Sequence, residues 1–228
     1  MRRVVVTGGT RGIGAAVAAR FRAAGDEVIA LGRADCDITD EAAVGAVFAG
    51  IGPVDVLVNN AGIASSAPLV KTTLDQWRDQ QDVNALGAFL CTRAVLEGML
   101  ARDTGRIVFV ASTAGKVGQR YTAAYTAAKH AAVGLMRAVA AEVAGTGVTS
   151  NAVCPTFTRT DIVAEATRVI AERTGRSPVD AEAALAGASP LGRLLEPEEV
   201  AFAVWFLASA EAGAVNGQSL VLDGGGVQ

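Results

Sequence analysis

The sequence is poor in the residues from which metal sites and disulfide frameworks are built. It has one histidine and three cysteines in 228 residues. Cys36, Cys91 and Cys154 are widely spaced, odd in number and free of any Cys-x-x-Cys pair, so neither a disulfide framework nor a metal site is expected. Aromatic residues make up only 5% of the chain. The formal charge of −3, with no concentrated basic run, gives no electrostatic footprint for nucleic acid or an anionic membrane. No apolar stretch reaches the roughly 20 residues that a spanning helix needs. The opening MRRVVVTGG leads straight into a strand and a glycine turn rather than a cleavable signal. No nucleic-acid partner, no membrane partner and a cytoplasmic location are therefore expected.

What is abundant is apolar sequence, at 51%. A chain of this length can bury one sizeable core as a single domain over residues 1–228. The short runs RVVVT, EVIAL, VDVLVNN, GRIVFVAS, GVTSNAVC and QSLVLDGG are rich in β-branched residues, and alanine-rich segments with helical spacing separate most of them. Alternation of strand and helix predicts a parallel sheet. Because the runs are apolar throughout rather than alternating, helices should cover both faces, giving an α/β, doubly wound, Rossmann-like fold.

Between the first strand and the helical AAVAARFRAAG lies Gly8-Gly9-Thr10-Arg11-Gly12-Ile13-Gly14. Glycines allow a tight turn and close approach of backbone to ligand, and the free N–H groups of the following helix favour negative charge. That is the setting for a pyrophosphate. A second feature is RYTAAYTAAKHAAVGL, Arg120 to Leu135. Alanine favours helix, and side chains four apart share a face, which predicts a column of Tyr121, Tyr125 and Lys129. A packed ring beside a snorkelling ammonium would give the same pattern. His130 points elsewhere and reads as structural, and Trp77 and Trp205 read as core or subunit contacts.

Taken in order, T-G-x-x-x-G-I-G at Thr7–Gly14, NNAG at Asn59–Gly62, Asn84, Ser112, and Tyr125-x-x-x-Lys129 resemble the short-chain dehydrogenase/reductases. The resemblance covers essentially the whole chain, including PLGRLLEPEEVA and the terminal NGQSLVLDGG. It implies an NAD(P)-dependent enzyme that interconverts a ketone and a secondary alcohol by hydride transfer. Tyr125 would be the proton donor, Lys129 would favour its phenolate and hold the nicotinamide ribose, Ser112 would orient the substrate oxygen, and Asn84 would support a proton relay. Tyr125 stands thirteen residues after Ser112 and four before Lys129, both family-like spacings, so Tyr121 is left as pocket wall or packing. Gly8, Thr10, Arg11, Gly12, Ile13, Gly14, Arg33, Asp37, Ile38, Asn59, Ala61, Gly62, Thr158 and Thr160, with Tyr125 and Lys129, are the implied cofactor residues.

Two places depart from the family pattern. Thr156 follows Pro155 where a glycine is usual. Only Ala34, Asp35 and Cys36 separate Arg33 from Asp37, so a helix and most of a strand are missing and the third strand should be lost or truncated. The acidic residue that would bind a ribose 2′-hydroxyl at the end of strand two is replaced by Gly32, and Arg33 and Arg11 can meet a 2′-phosphate. NADP is therefore expected, with NAD the alternative if Asp35 enters the ribose site.

The variable segment at about 161–189 reads as a lid of two helices around TGRSPVD. It resembles 3-oxoacyl reductases, 3-hydroxybutyrate dehydrogenases and aromatic polyketide ketoreductases, which implies a small carbonyl or alcohol substrate, a 3-oxoacyl acid or acyl thioester first. Arg168, Arg173 and Arg176 can meet a phosphate or carboxylate, or form a solvated face. Other classes fit less well. A catalytically silent nucleotide sensor has no reason to keep Asn84, Ser112, Tyr125 and Lys129 together, and sugar-nucleotide epimerases have longer chains. The resemblance also implies a homotetramer, built through helices at residues 74–101 and 122–145.

Overall fold

The computed structural model describes residues 1–227. Six parallel strands form one sheet in the order β2-β1-β3-β4-β5-β6. They are β1 (Arg3–Thr7), β2 (Glu27–Leu31), β3 (Val56–Asn59), β4 (Gly105–Val110), β5 (Val148–Pro155) and β6 (Ser219–Leu222). Each of the six apolar runs supplies one strand. Consecutive strand side chains point to opposite faces, and here both faces are buried. Val5, Leu57, Ile107 and Phe109 lie in one apolar cluster, and Val4, Val6, Val56, Val58 and Val108 in the other.

Helices α2 (Glu41–Ile51), α3 (Leu74–Gln81), α4 (Gly87–Ala101) and α5 (Ala123–Glu142) follow β2, β3 and β4. Residues of α2, α4 and α5 fill the first cluster. The second lies under α1 (Gly12–Ala23) and α8 (Pro197–Leu207), which pack together. The remaining helices, α6 (Asp161–Thr174) and α7 (Pro178–Ala186), are the two expected around TGRSPVD.

The shortened region behaves as its length requires. After β2 a turn over Gly32–Asp40 leads directly into α2, and the chain returns as β3 beside β1, so β2 is left at the sheet edge. Adjacent β1 and β3 thus lead to helices on opposite faces, α1 and α4, which opens a crevice beyond their carboxyl ends. The glycine turn and Asn59–Gly62 both lie there.

One sequence expectation needs amending. Leu74–Ala101 runs as a single helix of 28 residues whose apolar window has a mean hydropathy of 1.3, long and apolar enough to cross a membrane by length and composition alone. Its apolar residues Leu90, Cys91, Val95 and Met99 are buried in the first core cluster against the sheet, which accounts for that hydropathy.

Candidate active site

The glycine turn is shaped by close contacts. Gly8 has φ +63°, and a Cβ there would lie 2.8 Å from Ala61 Cα. A Cβ on Gly14 would lie 2.1 Å from the carbonyl oxygen of Gly8. The backbone therefore folds tightly on itself as only glycine permits. Two residues overlooked in the sequence hold it to β3. Asn60 Nδ2 donates to the carbonyls of Thr7 (2.9 Å) and Gly8 (3.0 Å), while Thr7 Oγ1 accepts from the N–H groups of Asn60 and Ala61, both at 3.1 Å. Asn60 was hidden inside the NNAG motif, and only the contact makes its role visible.

The start of α1 suits a dinucleotide phosphate. Its N-cap residue, Arg11, makes no side-chain cap, so the first N–H groups remain available to an anion. Gly12, at φ +52°, would meet only the Thr160 side chain if it carried a Cβ. Backbone can thus approach a ligand there without obstruction, and the residues present fit the cofactor that the fold implies.

The expected cofactor residues divide. Thr10 lies beside Gly32 at the end of β2, Ile13 packs on the second core cluster, and Thr160 lies over Gly12. Arg11 and Arg33 are both exposed, and Arg11 forms an ion pair with Asp161 at the start of α6, at 3.6 Å. Asp37 is folded onto Thr39, accepting from its N–H (3.0 Å) and hydroxyl (2.7 Å). Those two bonds hold its carboxyl below the usual range. The Ile38 side chain is buried against Gly87. Asn59 turns inward, with Nδ2 donating to Thr92 Oγ1 at 2.9 Å, so its side chain braces α4. Thr158 is buried too, its hydroxyl donating to the carbonyl of Thr156 at 3.1 Å. Asp35 folds back on the end of β2. Its carboxylate accepts from the Gly32 N–H at 2.8 Å, beside Thr10 and the end of β2.

The expected catalytic residues lie close to one another. Asn84 lies in a π-helical turn, Asp82–Leu86, between α3 and α4, a distortion common at functional sites. Its Nδ2 donates to Ile63 O at 3.0 Å, and its Oδ1 accepts from Ile63 N at 3.3 Å. Buried Gln80, another residue missed in the sequence, contacts both Asn84 (3.0 Å) and Ser65 (3.2 Å). A Cβ on Gly62 would lie 2.7 Å from Asn84 Oδ1 and 3.5 Å from Lys129 Nζ. Gly62 is therefore the gap across which Asn84 faces the lysine.

Ser112 lies two residues past β4 in extended backbone and caps a short 3-10 turn, Thr113–Gly115, accepting from the Ala114 N–H at 3.1 Å. That turn is pressed onto α5, since a Cβ on Gly115 would lie 2.8 Å from the carbonyl oxygen of Lys129. This contact brings Ser112 to Tyr125 and Lys129. Lys129 is buried, donates to Val110 O at 3.0 Å and lies 5.7 Å from the Tyr125 ring centroid. Desolvation lowers its pKa to about 8. Burial raises the Tyr125 phenol above its ordinary value, opposed by a hydrogen bond with Ser112 and reinforced by Cys154.

The expected column of three side chains is corrected. Helix α5 begins at Ala123, and Tyr121 lies before it in a turn with φ +67° and 57% exposure, its ring under the Arg120 guanidinium. The Tyr121 carbonyl is held by the Ala67 N–H at 2.8 Å. It is neither stacked over Tyr125 nor packed in the core. His130 is exposed, with Nδ1 at 2.9 Å from the Thr126 carbonyl one turn back.

A family model described as enoyl-(acyl carrier protein) reductase, of the short-chain dehydrogenase/reductase type, matches residues 33–226. The acetoacetyl-CoA reductase of Shinella zoogloeoides is 39% identical over 98% of both chains. The 3-oxoacyl-[acyl-carrier-protein] reductase FabG of Salmonella typhimurium is 34% identical over 97% of this chain and 95% of its own. Among solved structures, actinorhodin polyketide ketoreductase with NADPH superposes with a TM-score of 0.90 at 35% identity, covering 98% of this chain and 96% of its own.

Proposed function

This chain belongs to the short-chain dehydrogenase/reductase family, and from that premise we propose that it is an NADP-dependent ketoreductase acting on 3-oxoacyl thioesters. It is an oxidoreductase of the C=O/CH–OH couple. The observation that supports the reading is the Gly115 contact, which presses the turn capped by Ser112 onto the helix that carries Tyr125 and Lys129. In the reductive direction the bound nicotinamide supplies the hydride. Ser112 orients the carbonyl oxygen, and Tyr125 hands its proton to that oxygen as negative charge develops. Lys129, held by Val110 O, stabilises the phenolate electrostatically. Asn84 faces Lys129 across Gly62 and positions a proton route back to it. Relatives that act on acetoacetyl-CoA and carrier-bound 3-oxoacyl chains favour thioesters, and the NADPH-bound ketoreductase supports NADP. We further propose a homotetramer in which α6 and α7 form the lid.

The test is NADPH oxidation against 3-oxoacyl thioesters, free 3-oxo acids, cyclic ketones, quinones and an enoyl thioester. Fastest turnover is expected with the 3-oxoacyl thioesters. The 0.90 TM-score with a polyketide ketoreductase favours a cyclic ketone as the second reading, and a marked preference for cyclic ketones in this panel would replace the first.

A further inference from the structure

We propose that the cleft between the segment after β3 and helix α6 is a phosphate subsite for the arm of an acyl thioester, which rests on the ketoreductase reading above and extends it. A cavity of about 530 Å³ is lined by Ser66, Ala67, Pro68, Lys71, Gln76 and Arg173. Two cations line it and no carboxylate does. Arg168 and Arg159, on and before the same lid helix, are each held by two glutamates. Among the described residues neither Lys71 nor Arg173 forms an ion pair with a carboxylate, although both face the cavity. The Ala67 N–H also holds the carbonyl of Tyr121, whose ring lies under the Arg120 guanidinium.

A chain of hydrogen bonds links the edge of the cavity to Asn84. Ser65, next to the cavity wall, is bonded to Gln80, which is bonded to Asn84. Yet Asn84, Ser112, Tyr125 and Lys129 do not line it. A ligand that uses both regions must keep its ketone at Ser112 and Tyr125 and its negative charge several bonds away. A free 3-oxo acid has its carboxylate two bonds from its ketone and is too short. A phosphopantetheine arm separates thioester and phosphate by a long, neutral linker, and its phosphate matches a lysine point charge beside an arginine fork. Coenzyme A and an acyl carrier share that arm.

The experiment compares wild type with Lys71→Gln plus Arg173→Gln, two exposed positions whose exchange leaves the fold intact. Substrates are acetoacetyl-CoA, acetoacetyl-4′-phosphopantetheine and acetoacetyl-N-acetylcysteamine, the last without phosphate. Loss of two solvent-screened charges should raise KM for the phosphate-bearing substrates roughly tenfold with kcat unchanged. The N-acetylcysteamine thioester should be unaffected. Loss with both phosphorylated substrates assigns the subsite to the shared arm, and loss with acetoacetyl-CoA alone assigns it to the other phosphates of coenzyme A. No loss, or equal loss with all three, overturns the proposal. Titration of free coenzyme A into the NADP-saturated protein is a second readout: wild type should bind and the variant should bind roughly tenfold more weakly. A wild type that reduces none of the thioesters overturns the 3-oxoacyl thioester reading, and this titration then decides the subsite by itself.

Discussion

Tyr121 and Tyr125 are four residues apart in sequence and differ in almost every physical respect. Tyr125 is partly buried beside Ser112 and Lys129, while Tyr121 projects from a strained turn. Tyr125→Phe should lower kcat by about 10²- to 10⁴-fold, the value of a positioned general acid, and Tyr121→Phe should leave it within a small factor. A dead Tyr121→Phe variant beside an active Tyr125→Phe variant would reverse the assignment. Lys129 sets a pH limit on the same chemistry. Its ammonium is present below about 8 and lost above it, so kcat/KM for NADPH in the reductive direction should fall as pH rises through that value. That ratio reports the free enzyme. Lys129→Arg, permanently charged, should remove this limb, and an unchanged limb in that variant would assign it to another group. The sign for stability is opposite: burying a charged lysine costs most below about 8, and the cost fades toward its ordinary 10.5. Asp35 is the third residue with a measurable consequence. Its carboxylate lies at the end of β2 beside Thr10 and Gly32, and a carboxylate there would oppose any 2′-phosphate that came close. Asp35→Asn keeps an oxygen for the Gly32 N–H and removes the charge, so it should raise the kcat/KM ratio of NADPH over NADH. A ratio that stays fixed or falls means that Asp35 lies outside the cofactor's reach.

At the scale of the element, legibility followed burial. All six strands were readable because both sheet faces are apolar, which makes each strand a continuous β-branched run. The start of α5 was not, since the alanines that favour helix say nothing about where it begins. The chain before it is fixed by tertiary contact, the Ala67 N–H holding Tyr121 O. The π-turn at Asn84 and the contributions of Thr7, Asn60 and Gln80 left no periodic signal, because each depends on a partner distant in sequence. Gly115 is the clearest such case. It reads as loop punctuation, yet a Cβ there would meet backbone of α5 at 2.8 Å. Gly115→Ala should cost about 1–3 kcal/mol as an overpacking change, lowering Tm by roughly 2–4 °C per kcal/mol. It should also lower kcat by shifting Ser112 away from Tyr125. Gly118→Ala, where a Cβ meets nothing within 4 Å, is the control in both assays. Equal behaviour of the two variants would show that the turn yields without moving the site.

At the scale of the whole molecule, the shortened region removes an outer strand without disturbing the crevice, because β1 and β3 carry the glycine turn and Asn59–Gly62 whatever lies beyond β2. The same view explains where partners should attach. Among the exposed apolar side chains, two sets lie on the long helices that cover the sheet: Leu86, Phe89 and Leu100 along the α4 segment, at 39–40%, and Phe202 and Phe206 on α8, at 53% and 41%. Helices α4 and α8 flank opposite sides of the sheet, so a single two-fold contact cannot cover both sets. Two distinct two-fold contacts per chain generate a closed tetramer. Sedimentation velocity should therefore show a tetramer for the wild type. Phe89→Glu with Leu100→Glu should give dimers joined through α8, and Phe202→Glu with Phe206→Glu should give dimers joined through α4. Because these side chains are solvent-exposed in the single chain, each pair of substitutions should leave its circular dichroism unchanged. A wild type that sediments as a monomer would leave both faces without the partner argued for here, and a tetramer surviving either pair of substitutions would show that the altered face is not a contact.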